Sequence, residues 1–190
     1  SRRLSGISIE VPPEEQVALL LRIMPTLKRI GVLTQDRDLR EQVATLRRAC
    51  ETHKMELEHI ELSATSELPT KLDQLLRKVD IVWLVPDASI LQVQLAQYII
   101  GQCAARGVAL LGPSATFVKA GATLSFERDY QEVGQRLARL CLRQPPRTGP
   151  ESDWLVEAPQ RLVVSINERS FKLLGPSTNI TDPQVHVARY

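Results

Sequence analysis

Apolar bursts of strand length alternate with longer amphipathic stretches along the first two thirds of the chain, the pattern of βα units that feed a parallel sheet. Ile30-Gly31-Val32-Leu33-Thr34 reads as a first strand, Leu57 to Leu62 as a second, Asp80 to Val85 as a third and Val108 to Leu111 as a fourth. The third is apolar throughout, as expected of a strand covered on both faces, and is therefore placed centrally. Between the strands the period changes to that of a helix. Pro12-Pro13-Glu14-Glu15 supplies a helix start with proline and acids in the first turn, and Val17, Leu20, Leu21 and Met24 recur at helical spacing until Pro25. Gln35-Asp36-Arg37-Asp38 opens a second helix with its stripe at Leu39, Val43 and Leu46. Ser63 to Ser66 with Glu67 starts a third over about 67–78, and a fourth over about 90–106 is stopped by Gly107. The fold class is α/β, an open parallel sheet flanked by helices.

Beyond Gly112-Pro113-Ser114 the pattern changes. Leu124-Ser125-Phe126 is a short extended piece, Asp129 to Leu142 a helix, and Gln144 to Pro150 the one clear linker. Trp154 to Glu157 and Arg161 to Ile166 read as strands, Asn167 to Leu174 as a short helix or turn, and the last fourteen residues, which lack a core pattern, as a tail.

Charge and cysteine usage remove several function classes. With 24 basic against 22 acidic residues and no dense run of either sign, the footprint of a nucleic-acid-binding surface is missing. Cys50, Cys103 and Cys141 form neither a CxxC pair nor a metal-ligand pattern, and each reads as a small core residue. No apolar run reaches the length of a membrane span. The chain opens at Ser1, as a processed or excised product does, so a targeting signal would lie outside it.

In an open parallel sheet, ligands are held by loops at the carboxyl ends of the strands. That edge receives Thr34 and Gln35 after the first strand, Asp87 and Ser89 after the third, and Ser114 after the fourth. Asp87 has two readings. Its carboxylate can receive a ligand's ammonium group in a poorly solvated cleft, or it can cap the helix that begins near Ser89. Asp36 and Asp38 with Asp87 also suggest a receiver-like acid cluster around Mg²⁺, against which stands their reading as loop acids at a helix start. His53, His59 and His186 are scattered, and no GxGxxG, GxxxxGK[ST] or GxSxG occurs. No catalytic triad, metal site or cofactor is expected, and enzyme activity is not expected either.

The order of several short motifs resembles a known family. Leu4-Ser5-Gly6-Ile7-Ser8, Glu15-Gln16 through Met24-Pro25, Lys28 to Leu33, Val79 to Asp87, Val118 to Ala122, Asp129 to Gly134 and Val163 to Asn167 resemble, in order and spacing, the ABC-transporter substrate-binding proteins of aromatic amino acid type. The resemblance implies a type I periplasmic-binding fold, with two α/β lobes of Rossmann or flavodoxin-like form and a ligand trapped between them by hinge closure. It implies that residues 1–112 are the second lobe, 113–150 a crossover segment with its helix and linker, 151–175 the return strands and short helix, and 176–190 a tail. Bending is placed near 112–128.

By the same comparison Asp87 is the principal ligand contact, with Ser89, Ser114, Thr34 and Gln35 as weaker ones. The ligand would be a small metabolite such as an amino acid, the partner an ABC permease, and the location periplasmic or membrane-anchored outside the cytoplasm. The family carries small polar residues after the lobe's first strand, where this chain has Gln35-Asp36-Arg37-Asp38. The helix at 129–142 carries an apolar stripe at Val133, Leu137, Leu140 and Cys141 that could pair two copies as a homodimer. The alternative function is a signalling or protein-binding module of flavodoxin-like fold.

Overall fold

A computed structural model describes residues 5–142, 155–174 and 185–190. Seven strands form one sheet in the order β3-β2-β4-β5-β6-β8-β9: β2 (Arg29–Thr34), β3 (Glu56–Glu61), β4 (Ile81–Trp83), β5 (Ala109–Gly112), β6 (Leu124–Arg128), β8 (Leu162–Ile166) and β9 (Val185–Arg189). All neighbours run parallel except β6 and β8, which are antiparallel with Ser125 opposite Ser165. The remaining strands, β1 (Ser5–Ile7) and β7 (Leu155–Glu157), pair in parallel as a separate two-stranded sheet.

The sheet is covered on both faces, and its alternating side chains sort into two cores. On one face Ile30, Val32, Ile81, Trp83, Ala109, Leu111, Leu124 and Phe126 meet α1 (Pro13–Ile23), α2 (Arg40–Thr52) and Phe171 of α7 (Glu168–Leu174). On the other, Leu33, Val82, Leu84 and Leu110 meet α3 (Leu68–Leu76) and α4 (Val93–Ala105). The uninterrupted apolar character of β4 follows directly: every residue in it is buried. Sequence signals account for the helix ends too. Proline stands in the first turn of α1 with Glu14 and Glu15 beside it, and Gly107 stops α4 at a φ of 65°, a left-handed conformation that costs glycine little. Gly31 lies close under α3, where an added Cβ would sit 3.0 Å from Leu75 and Val79.

Several elements differ from the sequence expectation. The polar lead contains β1, and the turn after Ser114 becomes the short helix α5 (Ala115–Lys119). The extended piece expected at Leu124-Ser125-Phe126 is β6, which runs two residues further, to Arg128, and pairs within the main sheet. The expected tail also differs, since Val185–Arg189 is a strand paired with β8. Its apolar residues Val185 and Val187 pack on the core edge, a pattern too short to register as periodic in the sequence. The linker at 144–150, Trp154 and residues 175–184 lie outside the described residues.

The helix α6 (Tyr130–Leu142) stands apart from both cores. None of its described residues is buried, and it packs by β1. The chain passes between this small β1, β7 and α6 group and the seven-stranded sheet at 8–12, 128–130 and 158–161. These passages are tied by backbone bonds from Ser8 to Glu157 (2.9 Å) and from Asp129 to Arg161 (3.1 Å). Glu132 reinforces the last, accepting from the Arg161 amide at 2.8 Å and pairing with Arg136 at 2.8 Å. Burial pushes its carboxyl up, but these donors outweigh that effect and hold it below the ordinary glutamate value.

Candidate functional site

At the carboxyl edge of the sheet, where the strands β4, β5 and β6 end, a cleft of about 450 Å³ opens. Its floor is Leu84 and Phe126, and the loops after β4 and β5 enter it through Pro86, Gly112 and Pro113. The passage Ile9-Glu10-Val11 and Tyr130 at the start of α6 also line it. Gln16 of α1, Gln42 of α2, Glu127 and Arg128 supply the polar lining. Gln16 is fixed by donating to the Val11 carbonyl at 2.7 Å. The cleft therefore lies where the seven-stranded sheet meets the segments that leave it.

Gly112 is a tight point in this wall. A Cβ placed there would come within 2.7 Å of the Phe117 Cβ, so the close approach of α5 to β5 depends on the missing side chain. The N-terminus of α5 is held by Glu127, whose carboxylate accepts from the Ala115 amide at 2.6 Å.

The residues expected from sequence fall in three places. Asp87 is 1% exposed. One carboxylate oxygen accepts from the Gln35 and Asp36 amides at 2.6 and 2.9 Å, and the other from the Ser89 amide at 2.9 Å. The side chain thus stitches the loop after β2 to the loop after β4, bringing Gln35, Asp87 and Ser89 together. Burial pushes the Asp87 carboxyl up, but the amides of Asp36, Gln35, Ser89 and Ile90 outweigh burial and hold it below the ordinary aspartate value. Thr34 is buried, its hydroxyl 2.8 Å from His59 Nε2. Burial, assisted by Arg47, lowers the His59 pKa. Ser114 precedes α5, and its carbonyl accepts from the Phe117 and Val118 amides. None of these five residues is among the described lining of the cleft, although Pro86 and Pro113, their chain neighbours, are.

Asp36 caps the turn Arg37–Leu39 ahead of α2 by accepting from the Asp38 amide at 2.9 Å. With Asp87 committed to backbone amides, these acids do not converge, and no metal-binding group of three or more His, Cys, Asp or Glu occurs among the described residues. Cys50 and Cys103 are buried, and burial raises their thiols to about 11 and about 12, so both are protonated packing groups, whereas Cys141 is exposed.

Arg128 is one of several lining residues that sequence reading missed, with Glu10, Gln16, Gln42 and Glu127. It occupies the inward position of β6 after Leu124 and Phe126, with Glu127 turned to the other face. A signal was present: arginine at the third apolar-face position of an alternating strand. Ending the strand at Phe126 concealed it.

The architecture is an α/β unit with a cleft at the carboxyl ends of its central strands. Residues 1–173 match the ABC transporter substrate binding protein family, and the chain belongs to that family. The family is one of solute-binding proteins, not an enzyme class. Among solved structures, a conserved domain protein from Vibrio cholerae superposes with a TM-score of 0.70 at 18% identity, covering 97% of this chain and 62% of that one. An ABC domain in complex with L-Trp from Streptococcus pneumoniae gives 0.68 at 20% identity, covering 95% and 64%. The ligand-free, open form of a substrate binding protein with adhesive properties from Clostridium difficile gives 0.74 at 16% identity, covering 97% and 62%. The fold is thereby that of the periplasmic binding proteins, with this chain spanning under two thirds of those structures' lengths. No curated protein matches.

Proposed function

We propose that the chain is the second lobe, with part of a first, of an extracytoplasmic solute receptor that hands a small metabolite to an ABC permease. The observation that carries this reading is the position of the cleft, between the strand ends of the main sheet and the segments leading to β1, β7 and α6. Closure would turn about the passages at 8–12, 128–130 and 158–161, since residues 112–128 are built into the sheet and its covering helix. An amino acid suits the lining: Glu10 can meet an ammonium group, and Phe126 and Tyr130 offer ring surface to its side chain. The Streptococcus pneumoniae structure holding L-Trp supports the same ligand class. Asp87 serves binding by fixing the loops that carry Gln35 and Ser89, with Thr34 and Ser114 completing the strand-end backbone.

Thermal-shift screening of the twenty amino acids tests the reading, with a concentration-dependent rise in melting temperature for at least one of them as the expected result. No shift with any amino acid or related small solute overturns it.

The apolar stripe of α6, with Leu137 exposed and Val133 and Leu140 half-buried, supports a further part of the proposal. Val133, Leu137 and Leu140 lie along one helical face without burial in either core. In a longer protein this face would complete a first lobe; in the chain alone, it favours exchange between two copies. Sedimentation equilibrium is expected to show a concentration-dependent dimer that Leu137→Glu dissociates. A strict monomer at all concentrations removes the dimer from the proposal.

A further inference from the structure

Arg128 is built unlike the other polar groups of the cleft. Its side chain is 4% exposed, and its two terminal nitrogens donate to the Glu15 carboxylate at 3.1 and 2.6 Å. The Nε donor is buried without a partner. Glu15, on the first turn of α1, is by contrast 38% exposed. The pair is therefore asymmetric. A buried guanidinium needs an anion and has nowhere to go, while the Glu15 carboxylate can turn into water at small cost.

The guanidinium carries five donors in a rigid planar fork and binds carboxylates through two parallel N–H bonds. Glu15 takes the end-on edge, so the side-on edge that includes Nε is left over. The residue lines a cleft of about 450 Å³, large enough for an amino-acid-sized molecule. An unsatisfied buried donor on a charged group beside such a cavity is costly unless another acceptor arrives.

We infer that Arg128 is the carboxylate-recognising residue of the cleft, its free Nε edge taking a ligand carboxylate while Glu15 holds the other edge and draws on the same positive charge. This assignment rests on the solute-receptor reading and deepens it by naming the ligand class: small molecules bearing a free carboxylate. It also makes Glu15 a competitor rather than a contact, which fixes the sign of its substitution. Removing the competing charge tightens carboxylate binding, whereas loss of a merely structural ion pair would weaken binding or leave it unchanged.

Isothermal titration with matched pairs tests this, each L-amino acid against its own amide, which keeps the ammonium group and removes the carboxylate. In the wild-type protein the acid is expected to bind at least about tenfold more tightly than the amide, the range of a charge-assisted bidentate contact. Glu15→Gln is expected to strengthen the acid by about tenfold while leaving the amide unchanged. Arg128→Met is expected to abolish the preference; should it fail to fold by circular dichroism, Glu15→Gln alone decides. Amides that bind as tightly as acids, or an acid-to-amide ratio unmoved by Glu15→Gln, overturn the assignment while leaving the receptor reading in place. A panel in which neither acids nor amides bind overturns both.

Discussion

Asp87→Ala is expected to destabilise the protein by about 3 kcal/mol at neutral pH, because a buried carboxylate with amide partners contributes more than a neutral hydrogen bond and its removal strands those amides. Its acceptor bonds to Gln35, Asp36 and Ser89 hold two loops whose strands, β2 and β4, are neighbours in the sheet but whose ends would otherwise diverge. Asp87→Asn keeps the shape and loses the charge, and is expected to cost about half as much.

The pH dependence follows from the lowered folded-state pKa. The stabilisation is full above the ordinary aspartate value of 3.8 and is lost as pH falls through the lower folded value. Urea unfolding of wild type and Asp87→Asn at pH 7 and pH 3 checks this. The gap between them is expected to narrow at the lower pH, and an unchanged gap would show that the charge contributes nothing.

The second large effect belongs to the far end of the sheet. Phe171 is among the largest fully buried side chains, 2% exposed, and seats α7 against the α1 and α2 core. Phe171→Ala removes that ring and leaves a void that packed neighbours refill only in part, for an expected loss of about 3–5 kcal/mol. The midpoint of urea unfolding is expected to fall without a change in its steepness. A loss under about 1 kcal/mol would mean that α7 can collapse onto the sheet without its anchor.

Legibility in the sequence tracked how locally each feature is determined. The run Ile81-Val82-Trp83 announced a doubly covered strand because burial on both faces leaves no polar position. Gly107 announced the end of α4 because only its backbone needed reading. The cleft was a harder inference, since its lining draws on residues from Ile9 to Tyr130 that no spacing connects. Asp87 stands out in the sequence as an acid at the end of a buried strand. Its bonding to the amides of Gln35 and Asp36, some fifty residues earlier in the chain, depends on the pairing of β2 with β4 and so could not be read locally. Arg128 and Glu15 are 113 positions apart in the chain, and neither alone signals the other.

The strand β9 lies beyond residue 173, where the family match stops. A protein cut at that boundary would keep every recognisable motif and yet bare the outer rung of β8, whose amides and carbonyls now bond Val185–Arg189. An open rung flanked by apolar side chains is a template for another chain's strand, and a protein shortened in this way would tend toward self-association through the sheet. The last strand thus acts as a selvedge: the sheet ends on a rung whose His186 and Arg189 are exposed rather than on β8, whose Leu162, Val164 and Ile166 are buried.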